Sequence, residues 1–178
     1  MDLFGSGGSG QVRVKDVVAE AGLTERYFYE SFSELGALFE AVLDLTMEAV
    51  ETDVNAAVLA APEDGLARVS IALRTSVDKL VSDPRMIRII FVEALGKGGR
   101  AGSRRNEILL RAAENFLRWS GSDESLSDGS SAEARMKAFA LSGAASELLI
   151  SWAEGILEIS PAELTDFLVG LYWRMNLP

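Results

Sequence analysis

The stretch VKDVVAEAGLTERYFYESF, residues 14–32, decides how the rest of the chain is read. Val14, Val17, Val18 and Ala21 recur at i, i+3, i+4 and i+7, which puts them on one face of a short helix. Gly22 supplies the left-handed residue that ends such a helix. Thr24 offers a side-chain oxygen to the first free amides of a second short helix, and Phe28 and Phe32, four residues apart, share one side of it. Two short helices joined across a three- to four-residue turn with glycine describe a helix-turn-helix, whose second member can enter a DNA major groove. Helix pairs of this spacing are common in all-α proteins, so the pattern alone leaves an architectural reading open beside the DNA-binding one.

Working outward, the periodicity stays helical, with no run of alternating apolar and polar residues that argues for a strand. The fold class is therefore all-α. Ser33 is expected to cap a long helix from Glu34 to about Ala61, roughly 40 Å at 1.5 Å per residue. Its apolar stripe is read as Leu35, Leu38, Phe39, Val42, Leu45, Val50, Val54 and Val58, and Pro62 stops it. Further helices are expected over Asp64–Ser82, Pro84–Leu95, Arg104–Ser120, Ala132–Glu154 and Pro161–Met175, the last capped by Ser160. The glycine-rich stretch 96–102 and the polar tract 121–131 read as loops. Upstream, Met1 to Phe4 precede Gly5-Ser6-Gly7-Gly8-Ser9-Gly10, which composition alone assigns to a linker.

Composition bounds the chemistry. The 178 residues contain no cysteine and no histidine, which removes disulfides, thiol catalysis, Cys/His zinc sites and imidazole general bases. No apolar run reaches the ~18 residues of a membrane span, and no signal peptide opens the chain, so a cytoplasmic location is expected. No cofactor, metal or catalytic residue is expected, because paired carboxylates such as Glu147 and Glu154 follow helix spacing and no nucleophile stands beside a base. The formal net charge of −10 opposes nucleic-acid binding, since that affinity comes largely from Lys and Arg displacing counterions.

The residues of the motif nonetheless go further than their spacing. Val14-Lys15-Asp16-Val17-Val18-Ala19-Glu20-Ala21-Gly22-Leu23-Thr24, followed by Tyr29, Phe32 and a long helix, resemble the TetR family of bacterial transcriptional regulators from about Leu3 to Leu43. The distance from Leu3-Phe4 to Val17 also matches, with Gly8 at the family's turn glycine, so residues 5–10 read as an inter-helix turn and the first helix as largely missing. The resemblance implies a DNA-binding domain over residues 1–45 and an effector-binding and dimerisation domain over 46–178. It places Thr24 at the start of the recognition helix, against a phosphate, with Glu25, Arg26 and Tyr27 facing base edges and Tyr29 giving its hydroxyl to the DNA backbone. Arg13 stands where the family commonly has Ser or Thr, and Leu35 where it has a phosphate-binding Lys; Arg13 is expected to compensate. Residues 1–45 carry three basic side chains against eight acidic ones, so binding should be modest and strongly salt-sensitive.

One short recognition helix reads too few base pairs, so a homodimer on a palindromic double-stranded operator is expected. The resemblance places the interface on the last two helices, and Ala138, Gly143, Ala145, Leu149, Phe167, Leu171 and Trp173 are the candidates. Met86, Ile90, Phe91, Phe116, Trp119, Met136 and Phe139 are candidates to line a pocket for a small apolar effector, with Arg74, Glu93 and Asn115 for polar contact; a solid core is the plainer account of any one of them. Glu93 reads equally well as an ion-pair partner of Arg105 or Arg111, and the basic stretch Arg85, Arg88, Lys97, Arg100, Arg104 and Arg105 as a solvated face. The functional expectation is a repressor released by its effector. The alternative is a helical small-molecule or partner-binding bundle that has lost DNA binding.

Overall fold

The computed structural model describes residues 2–5, 12–92, 101–120 and 131–176. Gly8, Glu93, the basic residues from Lys97 to Arg105 and most of the two expected loops fall outside the described residues or their described side chains; residues 101–102, expected in the first loop, begin a helix, and Ser131 caps another. Among the described residues every regular element is helical.

A single turn, α1 (Asp2–Gly5), precedes the paired α2 (Val14–Ala21) and α3 (Glu25–Ser31), and the long α4 (Leu35–Leu59) follows. Then come α5 (Gly65–Ser82) and α6 (Pro84–Ile87), which continues as a π-helical turn over Arg88–Val92. The chain ends in α7 (Ala101–Trp119), α8 (Ala132–Ala153) and α9 (Pro161–Asn176). Helix α4 lies along α5, α7 along α8, and α9 against both α5 and α8. The division at residues 45/46 thus falls inside one continuous helix. Phe39 and Leu43, near its start, share a core with Met86, Ile87, Ile89 and Ile90.

Local chemistry accounts for the boundaries. Asp64 caps α5 by accepting from the Ala67 amide at 2.6 Å. Ser160 accepts from the Glu163 amide while its own amide donates to Glu163 Oε2 at 2.8 Å, a reciprocal cap for α9 as expected. The two hydrogen bonds Ser160 gives Glu163 hold that carboxyl below the usual range. Gly155, at φ 72°, turns the chain between α8 and α9, and the Trp152 indole closes the turn on the Ile159 carbonyl at 3.1 Å.

Three expectations are corrected. Glu34, not Ser33, occupies the cap of α4 in extended backbone. Leu45 is 66 % exposed, whereas Leu43 and Thr46 are buried; Thr46 satisfies its hydroxyl on the Val42 carbonyl at 2.6 Å, which is how a polar residue joins the inner stripe. The helix expected over Pro84–Leu95 is α-helical for one turn only. Met86, Ile87, Ile89 and Ile90 are all buried, and from Arg88 to Val92 the chain continues as a π-helical turn, which an apolar run of this kind does not distinguish from an α-helix in sequence.

Candidate functional site

The helix pair is built as its residues dictate. The Arg13 amide donates to Asp16 Oδ2 at 2.9 Å and opens α2. Gly22, at φ 64°, closes it: the Leu23 amide reaches the Val18 carbonyl at 2.8 Å and the Gly22 amide the Ala19 carbonyl at 3.3 Å, the paired bonds of a Schellman cap. Leu23 and Thr24 complete a turn into α3. Val14, Val17 and Val18 are half-buried, while Ala21, counted with them from the sequence, is exposed. Thr24 sits in extended backbone at the cap of α3, but its hydroxyl makes no capping bond there, contrary to the sequence expectation.

Phe28 anchors α3. It is 5 % exposed and meets the half-buried Phe32 at 5.8 Å and Tyr29 edge-on at 5.2 Å between ring centroids. Thr24, Glu25, Arg26, Tyr27 and Tyr29 are all exposed, and the two tyrosines are each 57 % so. Arg13 is exposed at the start of α2, within 3.5 Å of Asp16. The six candidates for DNA contact therefore lie on solvent-facing parts of α2, the turn and α3. Sequence reasoning missed one neighbour: Glu30 takes a hydrogen bond from Arg26 Nε at 2.9 Å, so the cation of α3, like Arg13 with Asp16, has an acid beside it.

The motif is tied to the bundle through α1 and α4. Phe4 is buried edge-on against Phe39, with centroids 5.4 Å apart. Asp2 pairs with Arg85, which also holds Asp83 at 2.7 Å. Arg85 lowers the Asp83 carboxyl below its ordinary value, chiefly by hydrogen bonding.

A second feature is a cavity between α4, α5, the π turn, α7 and α8, in which the centre of a water-sized molecule ranges over about 130 Å³. Of the residues expected around a pocket, Ile90, Phe91, Phe116 and Trp119 line it, as does Asn115. Three do not. Met86 is buried in the core beside Phe4 and Ile87, and Met136 and Phe139 are 65 % and 42 % exposed on the outer face of α8. Arg74, proposed as a buried contact, is half-exposed and pairs with Asp166 at 3.0 Å. Much of the wall comes instead from α4 and α5, with Met47, Val50, Val54, Leu73 and Val77, and from Ser142, Ser146 and Leu149 of α8. Glu51 and Arg111, also in the wall, are paired with each other.

The dimer candidates divide between two faces of α8 and α9. Ala138 and Leu149 are 6 % and 3 % exposed inside their own chain, and Ala145 faces the cavity, so these three point away from the surface they were assigned to. The cause is that α8 is apolar on both sides. Leu171 is half-buried against Tyr172 and its neighbours. Phe167 and Trp173 are 53 % and 42 % exposed, and a Cβ at Gly143 would meet nothing within 4 Å, so this glycine opens on solvent. Trp173 also donates its indole N–H to Ser70 Oγ at 2.8 Å, fastening α9 to α5. Among the described residues no group of three acidic side chains is placed to hold a metal ion, and no helix is long and apolar enough to cross a membrane.

The architecture is that of an amino-terminal helix-turn-helix carried on a helical bundle. It is similar to the crystal structure of a TetR-like transcriptional regulator from Rhodococcus sp. RHA1, with a TM-score of 0.70, 19 % identity, and coverage of 97 % of this chain and 88 % of that one. The resemblance read from residues 3–43 therefore extends to the fold of the whole chain. No protein-family model and no curated protein matches the sequence.

Proposed function

We propose that the chain is a DNA-binding transcriptional regulator in which residues 1–45 hold DNA and residues 46–178 bind an effector and dimerise. The observation that carries this reading is the exposed side of α3: Thr24, Glu25, Arg26, Tyr27 and Tyr29 face solvent while Phe28 alone is buried beneath them. A helix fixed by one aromatic anchor and presenting hydrogen-bonding side chains outward is suited to a major groove. The likeness to a TetR-like regulator over nearly the full chain supports it.

Two copies of α3 are needed to read an operator, and the pairing surface is the outer face of α8 and α9, where Met136, Phe139, Gly143, Phe167 and Trp173 leave apolar area in water. The cavity holds a small apolar effector. Repression ends when that effector favours the spacing of the two α3 helices that does not fit DNA, which requires it to bind that state more tightly. The test is a gel-shift titration with Tyr29→Phe combined with Arg26→Ala. The double variant should lose operator binding and keep its oligomeric state; an unchanged titration removes α3 from the interface.

A second reading, a ligand-binding bundle without DNA function, is favoured by the Arg26–Glu30 pair and by the eight acidic residues of the first forty-five. Filter binding at two salt concentrations separates the two: the regulator loses affinity steeply with salt, and the bundle binds at neither.

A further inference from the structure

Resting on the effector reading of the cavity, we infer that its ligand is an uncharged molecule of about one six-membered ring, apolar except for one hydrogen-bonding group that Asn115 receives. Size follows from the volume. The accessible region of about 130 Å³ is close to the roughly 150 Å³ at which an apolar protein cavity holds benzene. Phe116 and Trp119, stacked edge-on at 5.9 Å between centroids, give part of the wall flat aromatic surface that suits a ring.

Charge follows from the two ionised groups among the described residues of the wall. Glu51 and Arg111 are paired with each other across α4 and α7, so neither offers an uncompensated charge to a ligand. An ion entering the cavity would surrender its hydration to a mainly apolar wall and gain no counter-charge from the described residues, a transfer that disfavours it. Polarity follows from Asn115. It lies one helical turn from Arg111, lines the cavity and is half-buried, and among the described residues its side chain has no hydrogen-bond partner. An amide carries donors and an acceptor together, so it serves a hydroxyl or a carbonyl equally. Ser142, by contrast, already gives its hydroxyl to the Ala138 carbonyl at 2.9 Å.

The three tryptophans provide the readout. Trp119 lines the cavity, whereas the Trp152 and Trp173 indoles are committed to Ile159 and Ser70 outside it. In protein labelled with ¹⁵N, the Trp119 indole resonance should shift saturably with phenol and with toluene while the other two stay in place. Benzoate and benzylammonium, of the same size, should bind about tenfold more weakly or worse. Asn115→Leu should keep toluene binding, which shows that the cavity is intact, and weaken phenol about tenfold. The inference is overturned if either ion binds as well as phenol, if neither phenol nor toluene moves Trp119, or if Asn115→Leu leaves phenol untouched. DNA binding is measured without ligand in a separate titration, so failure here and failure of the DNA reading are distinguishable.

Discussion

Arg26 and Glu30 are joined by a 2.9 Å hydrogen bond across one turn of α3, on solvent-facing side chains of the helix that Phe28 anchors. The arrangement sets an acid beside the one cation of α3. Glu30→Gln should therefore tighten DNA binding by about threefold to tenfold at low salt and steepen the dependence of log K on log salt by about one unit, as Arg26 becomes available to a phosphate or base. Fluorescence anisotropy at several salt concentrations measures both, and weaker binding by the variant would contradict the placement of Arg26.

Two glycines are required by packing. A Cβ at Gly5 would lie 2.4 Å from the Arg85 Cβ, and one at Gly65 would lie 2.1 Å from the Ser120 carbonyl oxygen. Neither neighbour is the free end of a flexible side chain, so α1 would lift from α6, or α5 from the end of α7. Each glycine-to-alanine change should cost about 1–3 kcal/mol in urea unfolding, and Gly5→Ala should also loosen the seat of Phe4 on Phe39.

The exposed Phe167 is not needed by the core of its own chain. Phe167→Glu should leave helicity unchanged by circular dichroism and convert the proposed dimer to monomer in sedimentation velocity, because a carboxylate would be buried without a partner at the proposed pairing surface. A monomeric variant that still holds DNA as tightly as the parent would argue against the two-copy operator.

Tyr172 is 7 % exposed, and burial, reinforced by the charge of Asp64, raises its phenol to about 12. Below about pH 9 the group is neutral in both folded and unfolded chains and has no effect on pH dependence. Between pH 10 and 12 the unfolded chain ionises first, so stability should fall by an amount on the order of 2–3 kcal/mol. Tyr172→Phe should remove that part of the decline. Urea unfolding of both proteins at pH 9 and 11.5 makes the comparison.

Residues 14–32 were legible because their structure is local: the helical period, the left-handed glycine and the four-residue aromatic spacing are satisfied within the stretch itself. Other features depend on partners distant in sequence. Helix α8 carries Ala138 and Leu149 inward and Phe139 outward, and with both faces apolar no periodicity distinguishes the cavity wall from the outer surface. The π turn over Arg88–Val92 has no signature of its own, because Met86, Ile87, Ile89 and Ile90, all buried, fit an α-helical face equally well. The contribution of α4 and α5 to the cavity was hidden for the same reason, since Val54 reads as one position of an apolar stripe and α5 offers no pattern that separates cavity wall from core. Likewise the close approaches at Gly5 and Gly65 have no signature apart from the missing side chain.

The central claim is that the outward side of α3, in two symmetric copies, holds duplex DNA. Selection from a random duplex library, followed by anisotropy titration of the enriched sequence, tests it most directly. The account predicts an enriched palindrome bound by two chains, with log K falling linearly in log salt and binding lost in the Tyr29→Phe, Arg26→Ala variant. A library with no enriched sequence, or one bound equally well by that variant, would contradict it.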